Sequence, residues 1–246
     1  MQLTVRNVSR YLDVAEATVM RWIKQRGLPA QYVSGQYRFH RAELLEWATA
    51  NQIKVAPEMF DHLESEDDPA PDLAQALETG GIHYQFQDTS KDHVLRALVE
   101  VLPLPVGADR ELLLRLFLAR EASASTAIGG GIALPHVRNP IVLHVAQPIV
   151  TLCFLERPVD FGALDGEAVR VIFSLICPTM RSHLQMLARL SHALHDARFR
   201  EVIMRQGQRD EILREARRIE TALAPAAQGS PSVAKEGKAG AGKAAL

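Results

Sequence analysis

Two nearly uninterrupted apolar runs limit what this chain can fold into. Ile149–Leu155 reads Ile-Val-Thr-Leu-Cys-Phe-Leu, and Val169–Cys177 reads Val-Arg-Val-Ile-Phe-Ser-Leu-Ile-Cys. Runs this rich in β-branched and aromatic residues are strands. Without apolar/polar alternation, they belong at the centre of a sheet covered on both faces. Amphipathic segments are available to cover it. Asp92–Leu102 carries Val94, Leu95, Leu98 and Val99 on one side, and Asp109–Glu121 carries Leu112, Leu113, Leu116 and Phe117. A long helix from Ser182 carries Leu184, Leu187, Leu190 and Leu194, and a closing helix Asp210–Leu223 carries Ile212, Leu213, Ala216 and Ile219. Ile128, Ile132–Leu134 and Val142–Val145 are further strand-like pieces. Strands interleaved with helices define an α/β domain.

Charge divides the rest of the 246 residues. Residues 1–55 hold eight Lys/Arg against four acids, whereas residues 56–79 hold eight acids and no Lys or Arg. A basic module followed by an acidic tether is the expected arrangement. We therefore expect a basic module over 1–52, an acidic flexible linker over 53–79, the α/β domain over 80–224, and a disordered tail over 225–246. The tail is rich in Ala, Gly, Lys, Pro and Ser and has little apolar bulk to bury. The linker's acidic run invites a further reading, that it competes with DNA for the basic module. Cys153 and Cys177 sit inside apolar runs at no metal or redox spacing and read as buried reduced thiols. The chain lacks a long apolar span and a signal-peptide pattern, which points to a cytoplasmic protein without membrane insertion.

In the basic module, Val5, Val8 and Leu12 have helical spacing behind a Thr4 cap, and Asp13 stands at a tight turn. A second helix from Glu16 to Gln25 follows, ended by Gly27. Aromatic runs on either side of Ser34-Gly35 form a hairpin, and a third helix from Arg41 carries Leu44, Leu45 and Trp47. This is a winged helix-turn-helix order, in which the second helix enters a major groove. Leu3-Thr4-Val5, Thr18-Val19, Arg21-Trp22-Ile23, Gly27-Leu28-Pro29, Tyr37-Arg38 and Leu44-Leu45-Glu46-Trp47 resemble the excisionase/MerR-type helix-turn-helix. The resemblance implies base or groove contacts from Thr18, Arg21 and Lys24, and a wing contact from Arg38. Asp13 and Ala15 depart from the family's usual Gly turn and Ser cap; the missing cap weakens the second helix by ~1 kcal/mol. So small a module makes few phosphate contacts, and a homodimer on paired half-sites would supply the rest.

The chemistry concentrates in Ser125–Arg138, Ser-Thr-Ala-Ile-Gly-Gly-Gly-Ile-Ala-Leu-Pro-His-Val-Arg. Three glycines free backbone N–H groups to face an anion, with His136 and Arg138 close behind. The glycines lack the Gly-Lys-Ser/Thr of a nucleotide loop, and no nucleophile elbow is present. A metal on His136 and His183 would need converging carboxylates, which no spacing supplies, so no metal or cofactor is expected.

Ala119-Arg120-Glu121, Ser125-Thr126, Ile128-Gly129, Gly131-Ile132-Ala133 and Pro135-His136 resemble the phosphohistidine signature of enzyme IIA of the phosphotransferase system, fructose/mannitol and nitrogen-related type. Pro158-Val159-Asp160-Phe161 and His183-Leu184 to Ser191 fit the same family. The resemblance implies a mixed sheet with helices on both faces and His136 as acceptor of a phosphoryl group from an HPr-type phosphocarrier. It makes His183 a supporting histidine and Arg120, Thr126 and Ser125 phosphate partners, and it places Gly129, Gly130 and Gly131 in the phosphate loop. Val137 stands where the family has a small residue, and a β-branched side chain resists unusual backbone angles. Together the two resemblances lead us to expect a transcriptional regulator controlled at His136, a phosphohistidine carrier rather than a turnover enzyme. The alternative is a carrier relaying phosphate to a separate IIB domain, with the N-terminal module used for protein contacts.

Overall fold

The computed structural model describes residues 2–33, 35–51, 53–56, 59, 71–87, 90–137 and 145–223. The basic module opens with β1 (Gln2–Thr4), α1 (Val5–Tyr11) and α2 (Glu16–Gln25), and continues through β2 (Gln31–Val33), β3 (Gln36–His40) and α3 (Arg41–Ala50). Thr4 caps α1 in a reciprocal box with Asn7, as the sequence leads one to expect, and α2 starts at Ala15 without a side-chain cap. Asp13 takes the left-handed turn between them at φ 50°. The three strands pair antiparallel in the order β1-β3-β2, making the wing. Leu3, Val8, Leu12, Val19, Phe39, Leu44 and Leu45 fill the small core. Trp47 packs on Trp22 at 5.3 Å between ring centroids and donates its indole N–H to the Arg26 carbonyl.

The second domain begins earlier than its composition suggests. Residues 53–79 read as linker, yet Leu73–Gly80 form α4, capped by Asp72, with Leu73, Ala74, Ala76 and Leu77 buried. The cap and the apolar spacing outweigh the acidic, proline-rich surroundings. Glu220 accepts the Leu73 N–H and pairs with Arg189, tying α4 to two later helices. The acidic run itself and residues 225–246 lie outside the described residues.

After α4 come β4 (Ile82–Phe86), α5 (Lys91–Val101), α6 (Arg110–Ser123), β5 (Ala127–Gly129), β6 (Ile132–Ala133), β7 (Ile149–Val159) and β8 (Val169–Ile176). Helices α7 (Met180–His195), α8 (Ala197–Met204) and α9 (Arg209–Leu223) close the domain. The sheet order is β4-β7-β8-β6-β5, with β4/β7 and β6/β8 parallel and β7/β8 and β5/β6 antiparallel. It is the mixed sheet anticipated, with β7 and β8 at its centre.

Strand alternation explains the unbroken apolar runs. Val150, Leu152 and Phe154 point to the side covered by α4, α7 and α9, while Cys153 and Leu155 point to the side covered by α5 and α6. Burial pushes both thiols, Cys153 and Cys177, up to about 12, so they are inert. Sequence reading missed β4 and α8, both short. Most of the strand-like Val142–Val145 run lies outside the described residues.

The basic module does not stand apart. Its α3 packs on α7 and β5, and its core residues belong to one apolar cluster with Ile128, Leu134 and Leu187.

Gly80 tests the seating of α4. A Cβ there would stand 2.2 Å from the Val150 carbonyl oxygen, which is backbone and cannot move aside. Gly80→Ala is expected to destabilise the domain by about 1–3 kcal/mol through overpacking. Each kcal/mol lowers Tm by about 2–4 °C in a chain of this size, as calorimetry would measure.

Candidate functional site

His136 follows β6 and bridges to Leu175 of β8, so the centre of the sheet sets its position. Its Nδ1 lies 2.7 Å from the Leu134 carbonyl oxygen. A carbonyl only accepts, so Nδ1 carries a proton, and in the neutral ring the lone pair is on Nε2. Backbone geometry two residues away thereby sets the tautomer of the neutral ring.

His183 lies in the first turn of α7, below a capping box in which Thr179 and Ser182 exchange hydrogen bonds. Its ring is 5.3 Å from that of His136, and only 1% of the residue is exposed. The two histidines therefore lie side by side. Burial lowers the His183 pKa to about 3, helped by His136 and opposed by Glu46, so the ring is neutral.

Arg120, in the last turn of α6, also reaches the site. Its Nη1 donates to the Ala124 carbonyl, closing the helix end, and its Nη2 lies 3.2 Å from Glu46 Oε2. The other oxygen of Glu46 is 3.3 Å from His136 Nε2. Glu46 belongs to α3 of the basic module, so a carboxylate from the first domain lies over the histidine of the second. His136 is only 3% exposed for that reason. Thr49, one turn further along α3, donates to the Leu45 carbonyl and touches the Ser191 hydroxyl on α7 at 3.4 Å.

Sequence reading missed Glu46. Its contact with Arg120 joins positions 74 apart, and within its own segment Glu46 resembles an ordinary polar residue of a helix. Glu121 was missed as well. Nearly buried, it accepts from the Thr126 N–H and hydroxyl and pairs with Lys91, pinning the start of β5.

The remaining candidates have local duties. Ser125 and Thr126 line the crevice beside Glu46, Arg120 and His136. Their hydroxyls are committed, Ser125 to the Phe161 carbonyl and Thr126 to Glu121. Gly129, Gly130 and Gly131 all have positive φ and make the tight turn between β5 and β6. The Gly130 N–H donates to the Asp165 carboxylate at 2.7 Å, so the anion held at this turn is one of the chain's own. That bond, with a second from the Glu167 N–H, holds the Asp165 carboxyl below its usual range. Val137 is buried among Val145, Ile149 and Ile176 and is absent from the positive-φ residues, so its β-branch meets no strain. Arg138 lies outside the described residues.

On the basic module, Arg21 and Lys24 are exposed on α2, and Thr18 beside them is half-buried. Arg38 on the wing donates to Gln36. This face is uncovered while α3 sits over His136.

Comparison with known proteins agrees with both halves. Residues 76–217 match the family model described as the phosphoenolpyruvate-dependent sugar phosphotransferase system, EIIA 2, and residues 3–52 match one described as a helix-turn-helix domain. A nitrogen regulatory protein of Pseudomonas aeruginosa is 32% identical over 132 residues, covering 52% of this chain and 84% of that protein. A PTS system fructose-specific EIIA component of Haloferax volcanii is 32% identical over 114 residues, covering 44% and 72%. The crystal structure of nitrogen regulatory protein IIA-Ntr from Neisseria meningitidis superposes with a TM-score of 0.52 at 25% identity, covering 58% of this chain and 98% of that one. Among the described residues, no helix is long and apolar enough to cross a membrane.

The buried neutral His183 makes stability depend on pH. Its ordinary value is 6.5 and its folded value about 3, so between these the unfolded chain binds the extra proton. Stability is complete above the upper value and falls as pH drops through the window, by at most about 1.4 kcal/mol per pH unit. Urea unfolding at pH 7 and pH 5, with chelator present, should show this fall in the parent and a shallower one in His183→Leu. Equal slopes would contradict the assignment.

Proposed function

Since the chain belongs to the EIIA 2 family of the phosphoenolpyruvate-dependent sugar phosphotransferase system and carries a helix-turn-helix domain ahead of that unit, we propose that it is a DNA-binding transcriptional regulator switched by a phosphoryl group on His136. The observation that carries this reading is the seating of α3, from the helix-turn-helix domain, directly over the imidazole through Glu46. The phosphoacceptor of one domain is thus a docking point for the other.

The donor in this reading is an HPr-type phosphocarrier. Nε2 of His136 attacks the donor's phosphorus in line, the new N–P bond forms as the donor's N–P bond breaks, and the donor's nitrogen leaves with the electron pair. Transfer of this kind depends on positioning and charge stabilisation. Leu134 orients the ring, Arg120 supplies a cation, and the buried neutral His183 stands beside the ring as a polar neighbour. Ser125, Thr126 and the glycine turn shape the wall of the site.

Glu46 and the phosphoryl group compete for one place. A phosphoryl group brings about −1.5 to −2 charges by analogy with other phosphorylated side chains, and it needs both Nε2 and Arg120. The carboxylate must withdraw, and α3 with it. Docking therefore slows phosphorylation, and phosphorylation releases the module, whose Thr18, Arg21, Lys24 and Arg38 then engage DNA in a new relation to the second domain. A homodimer would present two such modules to paired half-sites.

The alternative, a relay to a separate IIB domain, needs a freely accessible His136, and the burial of the ring beneath α3 favours the regulatory reading. Incubation with phosphorylated HPr should label His136, and His136→Ala should remain unlabelled. Glu46→Gln weakens a charge-assisted contact worth about 1.5–3 kcal/mol, which corresponds to labelling faster by about ten- to a hundredfold. Gel shifts on DNA upstream of the gene, with and without donor, decide between the readings. Sequence-selective binding that changes with phosphorylation is the expected result, and its absence in both states would overturn the regulator.

A further inference from the structure

We propose that Glu46, His136 and His183 form a Zn²⁺ site that joins the two domains. One ligand atom from each residue lies within 4.8 Å of the other two. His136 Nε2 and Glu46 Oε1 are 3.3 Å apart, and with the neutral ring's proton on Nδ1 toward Leu134 they face each other as two acceptors. Acceptors buried at that separation require a positive charge between or beside them. A zinc ion with Zn–N and Zn–O bonds of about 2.0–2.1 Å places tetrahedral ligands about 3.3 Å apart. The observed pair already has that spacing, and the widest pair closes by about 1.5 Å on side-chain rotation.

His183 supplies an independent observation. Both of its ring nitrogens are buried without a hydrogen-bond partner, which is costly for a polar ring, and a metal would satisfy one of them. The supports that orient metal ligands are also present. Leu134 holds His136 by its other nitrogen, and Arg120 holds the second oxygen of Glu46. Two imidazole nitrogens favour zinc over hard cations such as Mg²⁺ and Ca²⁺, which take oxygen ligands. Sequence spacing offered no carboxylate to complete this set because the carboxylate comes from the other domain.

The site uses these three side chains of the unmodified protein and does not depend on His136 serving as a phosphoacceptor. Where it is phosphorylated, zinc and the phosphoryl group exclude each other at Nε2.

The test is calorimetric titration of Zn²⁺ into chelator-treated full-length protein, with no phosphodonor present. One high-affinity ion per chain is expected, with affinity reduced at least about tenfold in Glu46→Gln and in His183→Gln. The surface variant His93→Gln should bind as the parent does. Co²⁺ in place of zinc should give the intense visible bands of a four-coordinate site, and those bands should vanish in the Glu46 and His183 variants. Circular dichroism establishes that each variant is folded. Binding that survives both substitutions, a weak six-coordinate Co²⁺ spectrum in the parent, or no binding would each overturn the proposal.

Discussion

The hydrogen bond from His136 Nδ1 to the Leu134 carbonyl, 2.7 Å long, is the interaction on which the site depends. It is made within three residues at the end of β6, where the bridge of His136 to Leu175 leaves the loop little freedom. With Nδ1 committed, Nε2 is the ring nitrogen that faces Glu46. Arg120 arrives from the end of α6, His183 from the start of α7, and Glu46 from another domain. Helices on both faces of the sheet thus bring side chains to the surroundings of one imidazole.

That convergence has a cause in packing. β7 and β8 are apolar on both sides, so helices must cover both faces, and the ends of those helices gather where the short strands β5 and β6 leave the sheet. α3 occupies the remaining gap. The apolar residues of its module continue into the cluster around Ile128, Leu134 and Leu187, so the docking rests on burial as well as on the Glu46 contacts. Burial is non-directional and holds the helix against the domain, whereas the carboxylate fixes which turn of the helix faces His136.

Much of this was legible in the residues. The continuous runs of β7 and β8, the helical spacing in α5, α6, α7 and α9, the Thr4 cap, the turn at Asp13 and the hairpin around Gly35 are local signals of a few residues each. His136, Arg120 and His183 were legible through motifs whose residues stand close together in the chain. The start of the second domain was misread because acidic and proline-rich composition up to Pro71 masked the cap at Asp72 and the apolar turn behind it. The three glycines suggested an anion loop, and in the fold they make a tight turn whose Gly130 N–H donates to Asp165.

By itself the sequence determined two folded units, an α/β domain built on two buried strands and a basic helix-turn-helix module, together with the identity of the central histidine. Periodicity, capping and turn chemistry act over a few residues and can be read along the chain. Only the tertiary structure decided what faces that histidine. Glu46 meets it through the packing of α3 on α7 and β5, across a separation in sequence that carries no local pattern. The physical reason is that the contact is selected by the shape and charge of two completed surfaces, which exist only after each unit has folded.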